Sequence, residues 1–286
     1  MYPETLKTKH SFSHIAFNVL KYASLILASV VALVPVVVCV LTAFKTSEEY
    51  QSTSPLDLPA SFLYLDNFKE AWSVAKMFTG FRNTGIVLIV VLILSIFFSA
   101  TLAYVLNRFR FPGRGLINVL FTFASLIPGI ATQVTVYQIM YNLHLINHLY
   151  GYVIVLCGTD IISIYIFLQF FENLPRDLDE SGIIDGCGYF GIFFRILFPL
   201  LKPAIVTSCV LKGVSIYNEY YMSNLYLTDS NLKTISTALY TFTGPYGSQY
   251  NYICAGVLIT IIPILVLFLI CQKQVYGGMA AGAVKG

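Results

Sequence analysis

The densest group of ionisable residues in the second half of the chain lies in residues 176–203, between two apolar runs. Charged side chains at this density, interspersed with aromatic residues, favour docking of a soluble partner through charge pairing and apolar contact. The segment is too long and too apolar for a simple loop between membrane helices. Its charged residues are Arg176, Asp177, Asp179, Glu180, Asp185, Arg195 and Lys202.

Two short helices are expected to position these side chains. Residues 177–184 form the first, because an acidic first turn suits the positive end of a helix dipole. Gly186 and Gly188 then end it, and residues 189–198 form the second. The predicted result is a pair of helices joined at a glycine corner.

The sequence gives little support for a nucleotide site, a metal site or nucleic-acid binding. No glycine-rich loop ends in Gly-Lys-Ser or Gly-Lys-Thr, so we expect no nucleotide site in this chain. His144 and His148 are four residues apart, but no carboxylate or cysteine lies near them in sequence, so we expect no metal site. The six cysteines show no ligand spacing, and no cluster of basic residues with interleaved aromatics indicates nucleic-acid binding.

Composition places the chain in a lipid bilayer. Of its 286 residues, 57% are hydrophobic and 11% are charged, whereas a soluble domain has about 25% charged residues. Apolar runs long enough to cross about 30 Å of hydrocarbon predict an all-α membrane protein with six transmembrane helices. The predicted spans are residues 22–44, 83–107, 116–141, 150–171, 204–227 and 252–272.

The remaining residues form two tails and the connections between spans. Residues 1–21 and 273–286 are predicted as the tails, and residues 172–203 as the coupling loop between the fourth and fifth spans. Eleven Lys and Arg residues fall in cytoplasmic segments if the N-terminus is inside, against five outside. Positive charge on the cytoplasmic side therefore predicts that both termini and the coupling loop face the cytoplasm.

The coupling loop resembles the EAA loop of bacterial ABC importer permeases, in which Glu-Ala-Ala is followed by glycine and then by Ile-x-Leu-Pro. Glu180, Gly186 and residues 196–199 stand at the same spacing, with Ser181 and Gly182 in place of the two alanines and Phe198 in place of the leucine. The ending from Gly278 to Gly286 is similar to that of the MalG-like carbohydrate-uptake branch. The resemblance identifies the chain as a member of this family, which uses no catalysis of its own.

The resemblance implies a sugar importer in the bacterial cytoplasmic membrane with several partners. These are a second homologous permease, two ATPase subunits that hold ATP and Mg²⁺, an extracytoplasmic sugar-binding protein and the surrounding lipid. Three sets of residues are candidates for the protein contacts. The ATPase-docking set is Asp179, Glu180, Asp185, Gly186, Tyr189, Phe190, Phe193 and Phe194. The set at the ATPase interface is the tail Gly282, Ala283, Val284, Lys285 and Gly286. The set facing the binding protein is Gly244, Pro245, Tyr246 and Gly247.

Polar residues within predicted spans are candidates for the sugar path. Tyr217, Asn218, Glu219 and Tyr220 carry the hydrogen-bonding and aromatic groups that bind carbohydrate. Hydrogen bonding between helices is an equally good interpretation of Asn218 and Glu219, and a structural role is favoured for Asp160 and Lys212. An ion-coupled secondary transporter is the alternative function, although the sequence shows no repeat between its halves.

Overall fold

The computed structural model describes residues 12–158, 160–244 and 247–283, and these residues are mostly helical. One short antiparallel hairpin pairs Thr243 with Ser248 and Gly244 with Gly247. The helices of the first half are α1 (Phe12–Ala43), α2 (Ser47–Ser52), α3 (Asp66–Val74), α4 (Met77–Arg108), α5 (Arg114–Leu126) and α6 (Gly129–Asn142). Those of the second half are α7 (Leu149–Leu156), α8 (Ile161–Asn173), α9 (Asp177–Ile184), α10 (Tyr189–Leu200), α11 (Lys202–Tyr217), α12 (Tyr221–Tyr226), α13 (Ile235–Ala238) and α14 (Tyr250–Ala283). The hairpin strands are β1 (Thr243–Gly244) and β2 (Gly247–Ser248).

Among the described residues, three helices are long and apolar enough to cross a bilayer. They are Phe17–Ala43 within α1, Met77–Arg108, and Tyr250–Ile270 within α14. Three further pairs meet the same criterion only if each bent pair is one span: α5 with α6, α7 with α8, and α10 with α11. The six predicted spans correspond to this upper count.

The first and last spans lie in longer helices than the sequence predicts. α1 begins at Phe12, inside the predicted N-terminal tail, and α14 continues beyond residue 272 to Ala283, inside the predicted C-terminal tail. α4 also begins six residues before its predicted span, directly after Lys76 in the left-handed region at φ 48°. Hydropathy marks the apolar part of a helix and does not register polar turns that extend it.

Three predicted spans are interrupted rather than continuous. The third bends by 99° between α5 and α6, where Pro128 has no N–H to continue the helix. The fourth is divided between α7 and α8, and the fifth between α11 and α12. Each interruption falls within a run that is predicted as one span, so hydropathy does not indicate the interruption.

Two compact units are present in the chain. The first comprises the residues up to Ala71 together with Phe242–Ile259. Its buried Asn67 donates through Nδ2 to the carbonyls of Ala43 (2.8 Å) and Lys45 (2.7 Å), and its Oδ1 accepts from Asn251 Nδ2 at 3.1 Å. These bonds fix the chain where it leaves α1.

The second unit comprises Trp72–Thr241 with the residues from Thr260 onward, and it contains the coupling loop. Ala100 and Ala103 of α4 lie in one buried cluster with Phe167 and Phe171 of α8. The short alanine side chains leave room for the aromatic rings between the two helix backbones. Leu197 of α10 lies in the same cluster, so the coupling loop and the bundle share one core.

Candidate coupling and transport sites

Backbone hydrogen bonds cap the C-terminus of α9 at the glycine corner. The N–H of Cys187 donates to the Gly182 carbonyl at 2.8 Å, and the N–H of Gly186 donates to the Ile183 carbonyl at 3.0 Å. These two bonds form a Schellman motif, which requires a left-handed residue at Gly186. Gly186 has φ 80°, so a glycine is needed at this position. The predicted helix over residues 177–184 has those bounds in the structure.

Gly182 lets α9 lie directly against α10. A Cβ atom at this position would come within 2.9 Å of Ile196 Cδ1 and 3.0 Å of Ile192 Cγ1. Glycine inside a helix costs about 1 kcal/mol relative to alanine, but here it makes room for two isoleucine side chains. Gly182 stands in place of an alanine of the EAA pattern, and Ile192 and Ile196 fill the space beside it.

Arg108, the last residue of α4, ties the bundle to α9. Its Nε lies 3.1 Å from Asp179 Oδ2, although these two atoms are not aligned for a hydrogen bond. One guanidinium N–H donates to the Leu174 carbonyl at 3.0 Å, and the guanidinium carbon lies 6.0 Å from the centre of the Phe171 ring. Both charged side chains are largely buried, so the loss of one would leave the other unpaired in a poorly solvated place.

The electrostatic balance at Asp179 depends on these arginines. Burial raises the pKa of the Asp179 carboxyl, and the Glu180 carboxylate adds to the rise, whereas the positive charges of Arg108 and Arg176 oppose it. A raised carboxyl pKa favours the protonated form in the folded state. Such a group stabilises the fold at low pH, and this contribution is lost as the pH rises through its native pKa. The Arg108 charge therefore limits the cost of ionising Asp179 at neutral pH.

The structure separates the predicted docking residues into an exposed group and a buried one. Of the predicted residues, Phe190 is 81% exposed, and Tyr189, Glu180 and Asp185 are also exposed. Ile184, which is not in the predicted set, is 85% exposed beside them. Together these residues form a mixed apolar and acidic surface around the glycine corner.

Phe193 is not part of this surface. It is only 2% exposed, and its ring lies 5.1 Å from the ring of Tyr104 in α4. Phe194 is partly exposed and stacks on Phe97, also of α4, at 6.3 Å. Phe198 contacts Phe193 at 5.7 Å, in keeping with its predicted packing on the permease itself. Phe193 is therefore a core residue in this structure and not a residue on the docking surface.

The candidate sugar-path residues lie at the end of α11 and in the turn that follows it. Because α11 ends at Tyr217, Glu219 lies beyond the helix that carries Lys212. The Glu219 carboxylate accepts a hydrogen bond at 2.9 Å from the N–H of Met222, in the first turn of α12. Such a bond satisfies an N–H that has no partner within the helix, so Glu219 stabilises the interruption.

The neighbouring candidates are also engaged in bonds within the protein. Tyr217 donates through its hydroxyl to the Thr260 carbonyl at 2.8 Å. Asn218 donates to the Val214 carbonyl at 3.0 Å, and the ring of Tyr220 lies 6.1 Å from that of Tyr240. The Tyr217 bond joins two helices, whereas the side chains of Asn218 and Glu219 bond to residues three or four positions away in the same segment.

Asp160 and Lys212 form the ion pair within the predicted spans. The Lys212 Nζ lies 3.8 Å from Asp160 Oδ2. Asp160 also accepts from the N–H of Ser163 at 3.3 Å and from its hydroxyl at 2.8 Å, which caps the start of α8. The pair connects α8 and α11, the two helices that enter and leave the coupling loop.

The loop before α14 is held by a motif at the start of the second predicted span. Asn83 Nδ2 donates to the carbonyls of Asn231 (2.9 Å) and Lys233 (3.1 Å), and Thr84 Oγ1 accepts from the N–H of Ile235 at 2.9 Å. The sequence alone does not indicate these bonds.

The remaining predicted site residues lie at the limits of the described chain. Gly244 and Gly247 pair in the hairpin, and Pro245 and Tyr246 lie outside the described residues. Gly282 and Ala283 end α14, and Val284, Lys285 and Gly286 lie outside the described residues. Among the residues that are described, no group of three His, Cys, Asp or Glu side chains could hold a metal ion.

A comparison with protein-family models identifies the family of this chain. Residues 95–272 match the model of the binding-protein-dependent transport system inner membrane component. The chain belongs to this family. It is thus an inner-membrane component of a binding-protein-dependent ABC importer.

Individual relatives match over most of the chain. The arabinooligosaccharides transport system permease protein AraQ of Halalkalibacterium halodurans is 32% identical over 258 residues, covering 90% of this chain and 92% of the relative. The melibiose/raffinose/stachyose import permease protein MelC of Bacillus subtilis is 30% identical over 266 residues, covering 91% and 95% respectively. Nothing in these comparisons supports the ion-coupled alternative.

The fold also matches a solved structure. That crystal structure is of a bacterial ABC transporter involved in the import of the acidic polysaccharide alginate, and the TM-score is 0.81. The match covers 95% of this chain and 99% of the other, at 18% sequence identity. It shows that this chain has the fold of an ABC importer permease.

Proposed function

We propose that this chain is one of two different permease subunits that surround the path of an ATP-driven importer for a sugar or oligosaccharide. The relatives support this substrate class, because those named above are permeases for oligosaccharides. ATP and Mg²⁺ belong to two partner ATPases, and an external binding protein delivers the sugar. The C-terminal residues 282–286 reach the ATPase interface, and the hairpin region 244–247 faces the binding protein.

The observation that carries the proposal is the exposed surface around Gly186. Ile184, Tyr189 and Phe190 expose large apolar side chains, and Glu180 and Asp185 add carboxylates beside them. Exposed apolar residues that cluster with charges are typical of a protein contact. We assign this surface to the ATPase.

The contacts behind this surface make it suitable for transmitting force. α9 is closed by the Schellman motif, lies on α10 at Gly182, and is tied to α4 by Arg108 and Asp179. A rigid pair of helices passes a rotation of the ATPase to α8 and α11, whereas a flexible loop would absorb it. The sugar then moves as these spans change position.

Co-purification with candidate ATPases tests this function. The permease pair is expressed with each ATPase, purified in nanodiscs and assayed for ATP hydrolysis stimulated by the loaded binding protein. Phe190→Ala and Glu180→Ala should each weaken ATPase association and stimulation, whereas Leu200→Ala, at another exposed apolar position of α10, should not. Association that is equal in all four proteins would show that the ATPase docks elsewhere.

A further inference from the structure

A small cavity with both polar and apolar lining residues lies beside the interruption between α7 and α8. Its volume is about 190 Å³, and its walls come from α4, the interruption and α8. The lining residues that matter here are Ser95, Phe98, Ser99, Cys157, Gly158 and Asp160. None of them belongs to the predicted sugar-path residues 217–220.

Two hydroxyls and one carboxylate give this cavity its hydrogen-bonding capacity. Ser95 is 3% exposed, and its hydroxyl has no hydrogen-bond partner among the described residues. Ser99 is equally buried. The Asp160 carboxylate offers about four acceptor positions, of which Ser163 uses two. Buried polar groups normally have hydrogen-bond partners, so unused hydrogen-bonding capacity in a buried place is unusual.

The cavity lies beside a candidate membrane span, so the cost of exposing its polar groups to lipid must be considered. Ser95 and Ser99 lie in the central part of α4, which is a candidate membrane span over its whole length. A carboxylate or an unbonded hydroxyl facing hydrocarbon costs several kcal/mol, and ionisable groups in spans usually face a bundle interior or a water-filled cavity. The cavity therefore does not face lipid.

We propose that this cavity lines the transport path and that Ser95, Ser99 and Asp160 hydrogen-bond the hydroxyls of a sugar as it passes. This inference rests on the proposed sugar import and names one contact of that path. Phe98 is exposed at the rim and presents a ring to the apolar face of a pyranose or furanose. Lys212 balances the charge of Asp160, so the site suits a neutral sugar better than an acidic one.

Cys157 is a native reporter for this cavity. In the complete transporter in proteoliposomes, the other five cysteines are replaced by alanine, and a small membrane-impermeant methanethiosulfonate is applied. The probe sugars are raffinose, arabinotriose and diacetylchitobiose, and uptake is measured for each. The control carries Ile93→Cys and Cys157→Ala, because Ile93 is exposed on the same helix but does not line the cavity.

The expected result is modification of Cys157, slowed at least threefold by a sugar that is imported, with no sugar effect at position 93. Ser95→Ala and Ser99→Ala should each raise KM for uptake by about threefold to tenfold, as expected for one lost hydrogen bond.

Three results would overturn the inference. An unreactive Cys157 in a protein that imports sugar would show that the cavity is off the path, and sugar import itself would stand. A reactive Cys157 that no imported sugar protects would show a water path without a sugar contact. Failure to import any of the three sugars, with ATPase docking intact, would reject the proposed substrate class together with this contact.

Discussion

The glycine corner at Gly186 and the interruption before α8 both break a run of helix, but they satisfy the freed backbone groups differently. At the corner, two backbone carbonyls accept two backbone N–H groups, and the side chains around it remain available to a partner. Before α8, the carboxylate of Asp160 accepts the N–H of Ser163 and pairs with Lys212. Backbone hydrogen bonds cap the helix end at the corner, whereas a charged side chain caps the helix start at the other break.

The difference follows from the surroundings of the two breaks. The corner is exposed at the end of the bundle, where water can bond any remaining backbone group and a glycine is sufficient. The second break lies within a predicted span, where each unbonded backbone group that faces hydrocarbon costs several kcal/mol. A charged cap meets that need and also places an acceptor inside the membrane.

The largest effect is expected from Gly186→Pro at the exposed corner. Proline cannot adopt φ 80° and lacks the N–H that bonds the Ile183 carbonyl. We expect a loss of about 3 kcal/mol or more in the local stability of the corner and loss of stimulated ATP hydrolysis, measured in nanodiscs. Gly188→Ala is the matched control, because Gly188 has φ −75° and open space around its Cβ position. Equal activity in both variants would show that the corner geometry is unimportant.

Asp160→Ala tests the charged break. The variant removes the cap of α8 and leaves Lys212 unpaired, and we expect a loss of about 3 kcal/mol in unfolding free energy, read as a lower Tm in detergent. Adding Lys212→Met should restore part of this loss, because the unpaired charge is then gone. If the double variant is no more stable than Asp160→Ala, the pair does not stabilise the break.

Arg108→Ala should produce a smaller, pH-dependent effect on the coupling loop. Removal of the guanidinium raises the pKa of Asp179 further, since Arg108 opposes the effect of burial. The carboxyl then stabilises the fold below its unfolded pKa, and this contribution is lost as the pH rises through its raised native value. Tm should therefore increase more between pH 7 and pH 5 in Arg108→Ala than in the wild type.

Asp179→Asn is the control for that pH profile. The double variant Arg108→Ala/Asp179→Asn should lose the additional pH dependence, because its position 179 no longer titrates. If the double variant shows the same pH dependence of Tm as Arg108→Ala, a group other than Asp179 causes it.

The smallest effect is expected from Gly182→Ala. The gain of about 1 kcal/mol in helix propensity is offset by contacts with Ile196 Cδ1, which is the end of a flexible side chain, and with Ile192 Cγ1. We expect a net change below about 0.5 kcal/mol. Ile196→Val removes the contacting Cδ1 atom, so Gly182→Ala should be more favourable in that background. Equal effects in both backgrounds would show that the contact does not oppose the alanine.

The exposed corner was predictable from sequence, and the interruptions within spans were not. An acidic first turn, two glycines and the EAA spacing together indicate α9 and its end, and each is a local signal. The interruptions at Asp160 and Glu219 lie in apolar runs, where hydropathy is the same for a straight helix and a broken one. The sequence Asp160-Ile161-Ile162-Ser163 is compatible with a cap, but it equally suits a polar residue that faces another helix.

The contacts that fix the coupling loop could not be read from the sequence either. Arg108 adds to the positive charge on the predicted cytoplasmic side, and nothing local in the sequence indicates that it pairs with Asp179. The burial of Phe193 also depends on long-range packing. The four phenylalanines of α10 look alike in sequence, and the position of α4 decides which of them is covered. Long-range packing supplies this information.

Site-specific photo-crosslinking tests the central claim, the docking of the ATPase on the coupling loop, most directly. A photoreactive phenylalanine analogue replaces Phe190 in the complete transporter, and a second protein carries it at Leu63, which is highly exposed in the predicted outer loop. We expect a crosslink to the ATPase from position 190 and none from position 63. An ATPase crosslink from position 63, or its absence from position 190 in an active complex, would contradict the assignment of the coupling loop to the ATPase.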